Sequence, residues 1–297
     1  MNKISTISFP GFGIGEFTVN SEAFSIFGVS IAWYALLITT GMVLCVIYTI
    51  LMAKKIGVTS EDIIDMALFT IPIGIVGARL YYVLSEIEHY HSFMDVINIR
   101  EGGLAIYGGI IAGGLTVLAV CYFKKINFLA IADCVAPGVL LAQGIGRWGN
   151  FMNGEAYGYQ TDIFCRMGIS NVNSYSDFGT TDIVYVHPTF LYESLWNLFG
   201  FLLVNLFRKY VGKKYDGQLF LFIFGWYGLG RMFIELLRTD SLYLFNTSIR
   251  VSSLLGGLIF AVSLGFLVYF AIKKPGKPLY VKPPKEDNKE KSKKGKK

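Results

Sequence analysis

Val251–Ile272 reads V-S-S-L-L-G-G-L-I-F-A-V-S-L-G-F-L-V-Y-F-A-I and holds no Asp, Glu, Lys or Arg. About 20 apolar residues at roughly 1.5 Å rise each cross the hydrocarbon of a bilayer as an α-helix. A helix is also the form that satisfies its own backbone donors and acceptors where no water can. Working outward, six more apolar blocks lie at about 27–52, 62–85, 104–123, 128–149, 188–207 and 218–237. The whole chain agrees with them: 297 residues, 53% hydrophobic, 16% charged, mean hydropathy +0.50. A soluble domain carries roughly 25% charge. The expected fold class is therefore an all-α integral membrane protein, seven transmembrane helices with a small extracytoplasmic head region. The first 25 residues contain Pro10, several glycines and two acids and lack a basic start followed by an apolar core, so no cleavable signal peptide is expected and the first span serves as its own insertion signal.

Orientation follows from basic residues in the loops. Lys54-Lys55, Lys124-Lys125, Arg208-Lys209 with Lys213-Lys214, and the tail from Lys273 alternate with lysine-poor loops. Seven spans put all four clusters on one face, which is then cytoplasmic. The N-terminal segment 1–26 and the loops 86–103, 150–187 and 238–250 face outward. Three regions result: an extracytoplasmic segment 1–26, a seven-span catalytic domain 27–272 that includes the head loop 150–187, and a tail 273–297. The tail is rich in lysine and proline and is expected to be disordered, its charge suited to anionic lipid headgroups. Nothing resembling an aromatic platform accompanies it, so no nucleic-acid partner is expected.

The polar residues inside the blocks carry the functional signal. Cys45, Cys121 and Cys134 sit in apolar stretches and Cys165 in a polar loop, which makes no disulfide framework. Asp133, Pro137 and Gln143 interrupt the fourth span and mark it as interior. With orientation fixed, Arg79, Arg147, Arg231 with Glu235, Tyr34, Tyr107 and His187 fall at one outward level on six different helices. One arginine alone is explained as well by snorkelling to headgroups. Three arginines at one depth, together with carboxylates and amides, suggest a shared anionic ligand, because guanidinium donates two parallel hydrogen bonds to phosphate.

The longest polar run, Gly146–Gly158, is G-R-W-G-N-F-M-N-G-E-A-Y-G. A helix end and turn account for its glycines and one Asn. They leave Arg147 and Glu155 unexplained. His187-Pro188-Thr189-Phe190-Leu191-Tyr192-Glu193 opens the fifth span; the histidine reads most simply as an interfacial residue, and Glu193, deeper, is harder to dismiss. Arg231 and Glu235 share one helical face at i,i+4, where an internal ion pair is a fair alternative to ligand binding. No metal site is expected, since His89 and His91 lie in an outer loop with no carboxylate at ligand spacing.

The run Gly146–Gly158 resembles the signature G-R-x-G-N-F-x-N-x-E-x-x-G of the bacterial prolipoprotein diacylglyceryl transferase family and matches every fixed position. His187–Glu193, the Y-G-x-x-R…E…R…D block of Tyr227–Asp240, Gly77-Ala78-Arg79 and Trp33-Tyr34 are similar to that family too, over roughly residues 25–272. The resemblance implies transfer of the diacylglyceryl group of phosphatidylglycerol to the lipobox cysteine thiol of a prolipoprotein. A thioether forms and sn-glycerol 1-phosphate leaves, in the bacterial cell membrane, with the N-terminus outside and the site toward the outer leaflet. No cofactor is implied. One position departs: the family commonly places a histidine, proposed as a base, where this chain has Tyr107.

Displacement at a glyceryl carbon by sulfur requires a thiolate, charge stabilisation on the departing phosphate, and alignment. A thiol near pKa 8.5 is about a few per cent ionised at neutral pH, and positive neighbours raise that fraction. The expected catalytic residues are Arg147, Arg231, Glu155, Tyr107 and His187. The expected substrate contacts are Arg147, Asn150, Asn153, Gly158, Tyr34, Arg79, Glu235 and Arg238. The competing reading is a membrane transporter or flippase for an anionic lipid or solute, which should show inverted repeats and broken helices at mid-depth. No repeat is evident. A phosphatidyl-group transferase would need paired aspartates for a metal, and these are missing.

Overall fold

Helices occupy all seven apolar blocks of the chain, as seen in a computed structural model that describes residues 4–90, 92–98, 102–244, 247–273 and 278–283. Among these residues seven helices are long and apolar enough to cross a membrane, and the protein is a multi-pass membrane protein. In chain order the spans are α1 (Trp33–Ala53), α2 (Ser60–Ser85), α4 (Ile106–Phe123), α5 (Phe128–Asn153), α7 (Thr189–Tyr210), α8 (Gln218–Ile234) and α9 (Val251–Lys273). Two short helices, α3 (Phe93–Ile97) and α6 (Val172–Phe178), lie in connecting segments.

The helical class is as expected, but "all-α" leaves out six strands. β1 (Ile4–Phe9), β2 (Ile14–Asn20), β5 (Met167–Ser170) and β6 (Val184–Val186) form one antiparallel sheet in the order β2-β1-β5-β6. The pairing of Ile7 with Ile169 joins the N-terminal segment to the 150–187 loop, so the two regions that the sequence suggests are separate share one sheet. β3 (Glu22–Ile26) and β4 (Val29–Ala32) form a hairpin. Its turn has Phe27 at φ 50° and Gly28 at φ 79°, the left-handed pair that matches strand twist in a two-residue loop. β4 is why the first span starts at Trp33, six residues later than the apolar block beginning at 27 suggests.

The chain divides into two units, one of residues 1–48 and 132–278 and one of residues 49–131 and 279–297. In the first, Ile7, Val19, Tyr157, Met167, Ile169, Val184, Val186 and Phe190 make a buried core under the sheet, with Phe151 and Met152 of α5 packed against it. The sheet is thereby seated on the ends of α5 and α7. The interior character expected of the fourth span is seen directly: Asp133 is 2% exposed and Leu140 1%. The Asp133 carboxylate accepts from the backbone N–H groups of Gly217 and Phe220 at 2.9 Å each and pairs with Lys213 at 3.0 Å. It caps the positive end of α8 from another helix, which is where a buried carboxylate is best stabilised.

α7 and α8 are latched by two tryptophans. The rings of Trp196 and Trp226 stack with centroids 4.2 Å apart and planes 12° from parallel. Each indole N–H donates to the other residue's carbonyl, at 2.9 and 3.0 Å. Gly230 leaves room for the Trp196 ring and Gly200 for that of Trp226; a Cβ at either would overlap the indole nitrogen. α8 meets α9 where Gly228 faces the Gly256 carbonyl, the close backbone approach that small residues allow between membrane helices.

In the second unit α2 packs on α4 through Gly77, Gly108 and Ala112. Thr59 and Asp62 form a reciprocal capping box at the start of α2. Lys124 binds Asp62 at 3.1 Å and Asp65 at 2.6 Å. The tail differs from expectation: Lys273 ends α9 in a helix, and residues 278–283 include a docked stretch. The Lys282 ammonium pairs with Asp62, its backbone N–H donates to Ile56 O at 2.8 Å, and the Tyr280 hydroxyl reaches Lys125 O at 3.4 Å. Residues 274–277 and 284–297 of the expected disordered tail lie outside the described residues.

Candidate active site

The polar run begins as helix and not as a turn. α5 continues to Asn153, so Arg147 and Asn150 stand one turn apart and Asn153 a further turn on. Arg147 Nη1 donates to Asn150 Oδ1 at 3.3 Å. Glu155, just past the helix end, accepts on Oε1 from Asn150 Nδ2 at 3.2 Å and Asn153 Nδ2 at 3.0 Å. Both amides are thus oriented by one carboxylate, and Asn150 passes that order to Arg147. Tyr34, at the start of α1, lies against Gly149 and within electrostatic reach of Glu155 and Arg147.

Glu193 is the hub of the site. Its side chain is 6% exposed, and three guanidiniums from three segments converge on it. Arg147 Nη2 of α5 meets Oε2 at 2.6 Å; Arg231 Nη1 of α8 and Arg238 Nη1 meet Oε1 at 3.2 and 3.0 Å. The tryptophan latch sets the facing of α7 and α8 that makes the Arg231 contact possible, since Trp196 follows Glu193 by one turn and Gly230 precedes Arg231. Arg231 Nη2 also pairs with Glu235 at 2.7 Å, the internal ion pair that the i,i+4 spacing suggests. Arg238 grips Asp240 with Nε and Nη2 at 2.9 and 2.7 Å. Burial works against both charges there and the paired contacts win, so Arg238 is held above and Asp240 below its ordinary pKa.

The three arginines are not equivalent. Arg147 and Arg231 keep 24% and 17% of their side-chain surface exposed and engage two of their five N–H donors each in the contacts above. Arg238 is 9% exposed and engages three. The first two can take another anion; the third is mostly spent. A cavity of ≈ 10 Å³, large enough for about one water, lies beside Glu193 and Arg231 and is lined also by Trp196, Asn197 and Tyr227.

Gly158 and His187 adjoin this network through the backbone, Gly158 pairing with Arg238 in an antiparallel bridge. Gly158 donates its backbone N–H to His187 O at 2.9 Å, and a Cβ there would come within 2.5 Å of Leu237 O and 2.7 Å of His187 Cβ. Its smallness lets the chain pack closely there. The His187 ring meets the Tyr192 hydroxyl at 3.3 Å, and that hydroxyl meets Cys165 Sγ at 3.5 Å. Among the described residues the His187 ring makes no hydrogen bond or ion pair with the arginines, and burial lowers its pKa.

Arg79, in the second unit, spends its donors on the backbone. All five of its N–H donors go to backbone carbonyls: Nε to Val96 at 2.8 Å, Nη1 to Gly102 and Gly103 at 2.8 and 2.9 Å, Nη2 to Asp95 and Asn98 at 2.7 and 2.9 Å. The ring of Tyr90 covers the guanidinium at 5.2 Å. No donor is left for a phosphate, and Arg79 organises a loop. Tyr107 stands in the first turn of α4 in the same unit, and its hydroxyl has no hydrogen-bond partner among the described residues. No three of His, Cys, Asp and Glu come together at metal-ligand spacing among the described residues.

Sequence reasoning named Glu193 without giving it a role, because its three partners lie 38 to 46 positions away along the chain. It did not find Asp240's grip on Arg238 or the tryptophan latch; the Trp196–Trp226 separation carries no local period. A family model described as prolipoprotein diacylglyceryl transferase matches residues 21–269. The phosphatidylglycerol–prolipoprotein diacylglyceryl transferase 1 of Clostridium perfringens (strain 13 / Type A) is 45% identical over 259 residues, 86% of this chain and 97% of its own length. The phosphatidylglycerol–prolipoprotein diacylglyceryl transferase of Streptococcus pyogenes (serotype M5, strain Manfredo) is 42% identical over 255 residues, 84% of this chain and 95% of its own.

Proposed function

This chain belongs to the prolipoprotein diacylglyceryl transferase family, and we propose that its arginine–glutamate network is the site at which it moves the diacylglyceryl group of phosphatidylglycerol onto a prolipoprotein thiol. The enzyme is a transferase. In the step itself a carbon–sulfur bond forms at the glyceryl carbon and the bond from that carbon to the phosphate oxygen breaks. The phosphate keeps the oxygen and leaves as glycerol phosphate; the thiol proton departs to solvent. The acceptor is the cysteine of the lipobox segment.

The observation that carries this reading is the pair Arg147 and Arg231, two partly exposed forks fixed on one buried carboxylate with donors to spare. Bidentate guanidinium suits a phosphodiester, and donors preorganised on developing charge are usually the largest catalytic contribution. The same positive field favours thiolate over thiol, which relieves the site of a strong base and accommodates Tyr107 in place of a histidine. Asn150 and Asn153, oriented by Glu155, position the glycerol or phosphate oxygens, and Tyr34 closes the same end. Glu235 and Arg238 serve through Arg231 and Glu193. The lysine-rich loops are cytoplasmic, the N-terminus is outside, and the site opens toward the outer leaflet of the bacterial cell membrane.

The test is direct. Purified protein with phosphatidylglycerol and a lipobox peptide should release glycerol phosphate and yield the thioether. Arg147→Ala should lower kcat/KM by about 100-fold or more, the loss typical of one oxyanion donor. Absence of release from the unaltered protein sinks the reaction; equal release from Arg147→Ala sinks the site.

A further inference from the structure

Arg147, Arg231 and Arg238 are matched one for one by the carboxylates in direct contact with them, Glu193, Glu235 and Asp240, so these six side chains are formally neutral together before any lipid arrives. Two of the three carboxylates are local: Glu235 is one turn from Arg231 and Asp240 two residues from Arg238. Glu193 alone crosses between helices, and it touches all three guanidiniums. A phosphate that binds Arg147 and Arg231 together therefore meets a resident anion already holding the other side of both forks.

We propose that Glu193 is an internal counter-ion of the phosphate clamp: it spaces the Arg147 and Arg231 forks for a phosphodiester and weakens their hold on the phosphate product enough for it to leave. The proposal rests on reading these two arginines as the phosphate-binding pair. Two considerations support it. Opposite charge at 2.6 to 3.2 Å on each guanidinium lowers the potential felt by a second anion at the same group. A monoester product also carries more negative charge than the diester substrate, so an Arg147–Arg231 clamp without the Glu193 charge would favour product over substrate. Binding that product too well costs turnover and gains nothing in the transition state. Glu193 is thus a positioning residue with a definite sign, and removing its charge should tighten anion binding where an ordinary structural loss would weaken it.

The experiment uses the full chain in detergent, with inorganic phosphate as the binding probe and sn-glycerol 1-phosphate as the inhibitor. Glu193→Gln, whose amide oxygen still accepts from arginine, should bind phosphate at least about tenfold tighter and be inhibited correspondingly more strongly by product, with kcat lowered and KM not raised. Unchanged or weaker phosphate binding by folded Glu193→Gln overturns the proposal. Should that variant not fold, Glu193→Asp decides: it keeps the charge, so phosphate affinity should stay within about threefold of the unaltered protein or rise, while a larger fall overturns the idea. The underlying reading fails separately. If the protein releases no glycerol phosphate from phosphatidylglycerol yet Glu193→Gln still binds phosphate more tightly, the function is wrong and the counter-ion stands. If Arg147→Ala and Arg231→Ala bind phosphate as the unaltered protein does, the clamp itself is wrong and the counter-ion falls with it.

Discussion

Replacing Arg79 by alanine should release a loop and leave lipid binding at the arginine network untouched. The guanidinium holds five carbonyls at 2.7 to 2.9 Å. Hydrogen bonds to a charged group are worth about 1.5–3 kcal/mol each, which would sum to roughly 7–15 kcal/mol. That approaches the whole stability of an ordinary domain, about 5–15 kcal/mol, and a loop gives way locally long before such a sum is collected. The expected effect is thus set by the loop's own opening free energy. Two of the bonds at the low end, about 3 kcal/mol, correspond to more than a hundredfold in an opening equilibrium. Amide hydrogen exchange read by mass spectrometry on peptides covering Asp95–Asn98 should accelerate by about that factor, with the exchange of α7 and α8 unchanged. Arg79→Lys should recover little, because three donors on one point cannot reach five carbonyls. The result that refutes this account is normal exchange at 92–98 together with a raised KM for phosphatidylglycerol, which would return Arg79 to the substrate.

Gly230→Ala places a methyl against the Trp196 indole nitrogen; overpacking of this kind costs about 1–3 kcal/mol. A lowered melting temperature and a fall in kcat larger than the rise in KM are expected, since Arg231 follows directly. His187 has its pKa lowered from 6.5 by burial, so the unfolded chain binds the proton first as pH falls. Stability should therefore decline below about pH 6.5, and His187→Gln should flatten that decline in thermal melts across pH 5 to 7.

How much of this could be read beforehand depended on distance along the chain. The seven spans were legible because a bilayer imposes a length on consecutive residues, and Asp133 in the fourth block was legible as interior because lipid would not tolerate it. Its purpose was not legible: the N–H groups it caps belong to Gly217 and Phe220, 84 and 87 residues on. The sheet escaped for the same reason. β6 has three residues and β1 finds its partner β5 more than 150 positions away, too short and too distant for a period to register. At the site, local spacing disclosed the Arg231–Glu235 pair and the Arg147–Glu155 run. Residue type alone gave no hint that the donors of Arg79, an arginine toward a helix end, go to five backbone carbonyls. The missing information in each case was which partner had already claimed the donors.

The Lys282–Asp62 contact closes a circuit of 220 residues. Asp62 begins the second span and also caps its own helix with Thr59, so its position is established early in synthesis, when only Lys124 is soon to follow. Lys282 emerges from the ribosome after the seven described spans. The turn at Lys54–Gly57 thus receives one constraint from beyond α9, and a truncation after that helix would leave seven helices whose first connection lacked its Lys282 clasp.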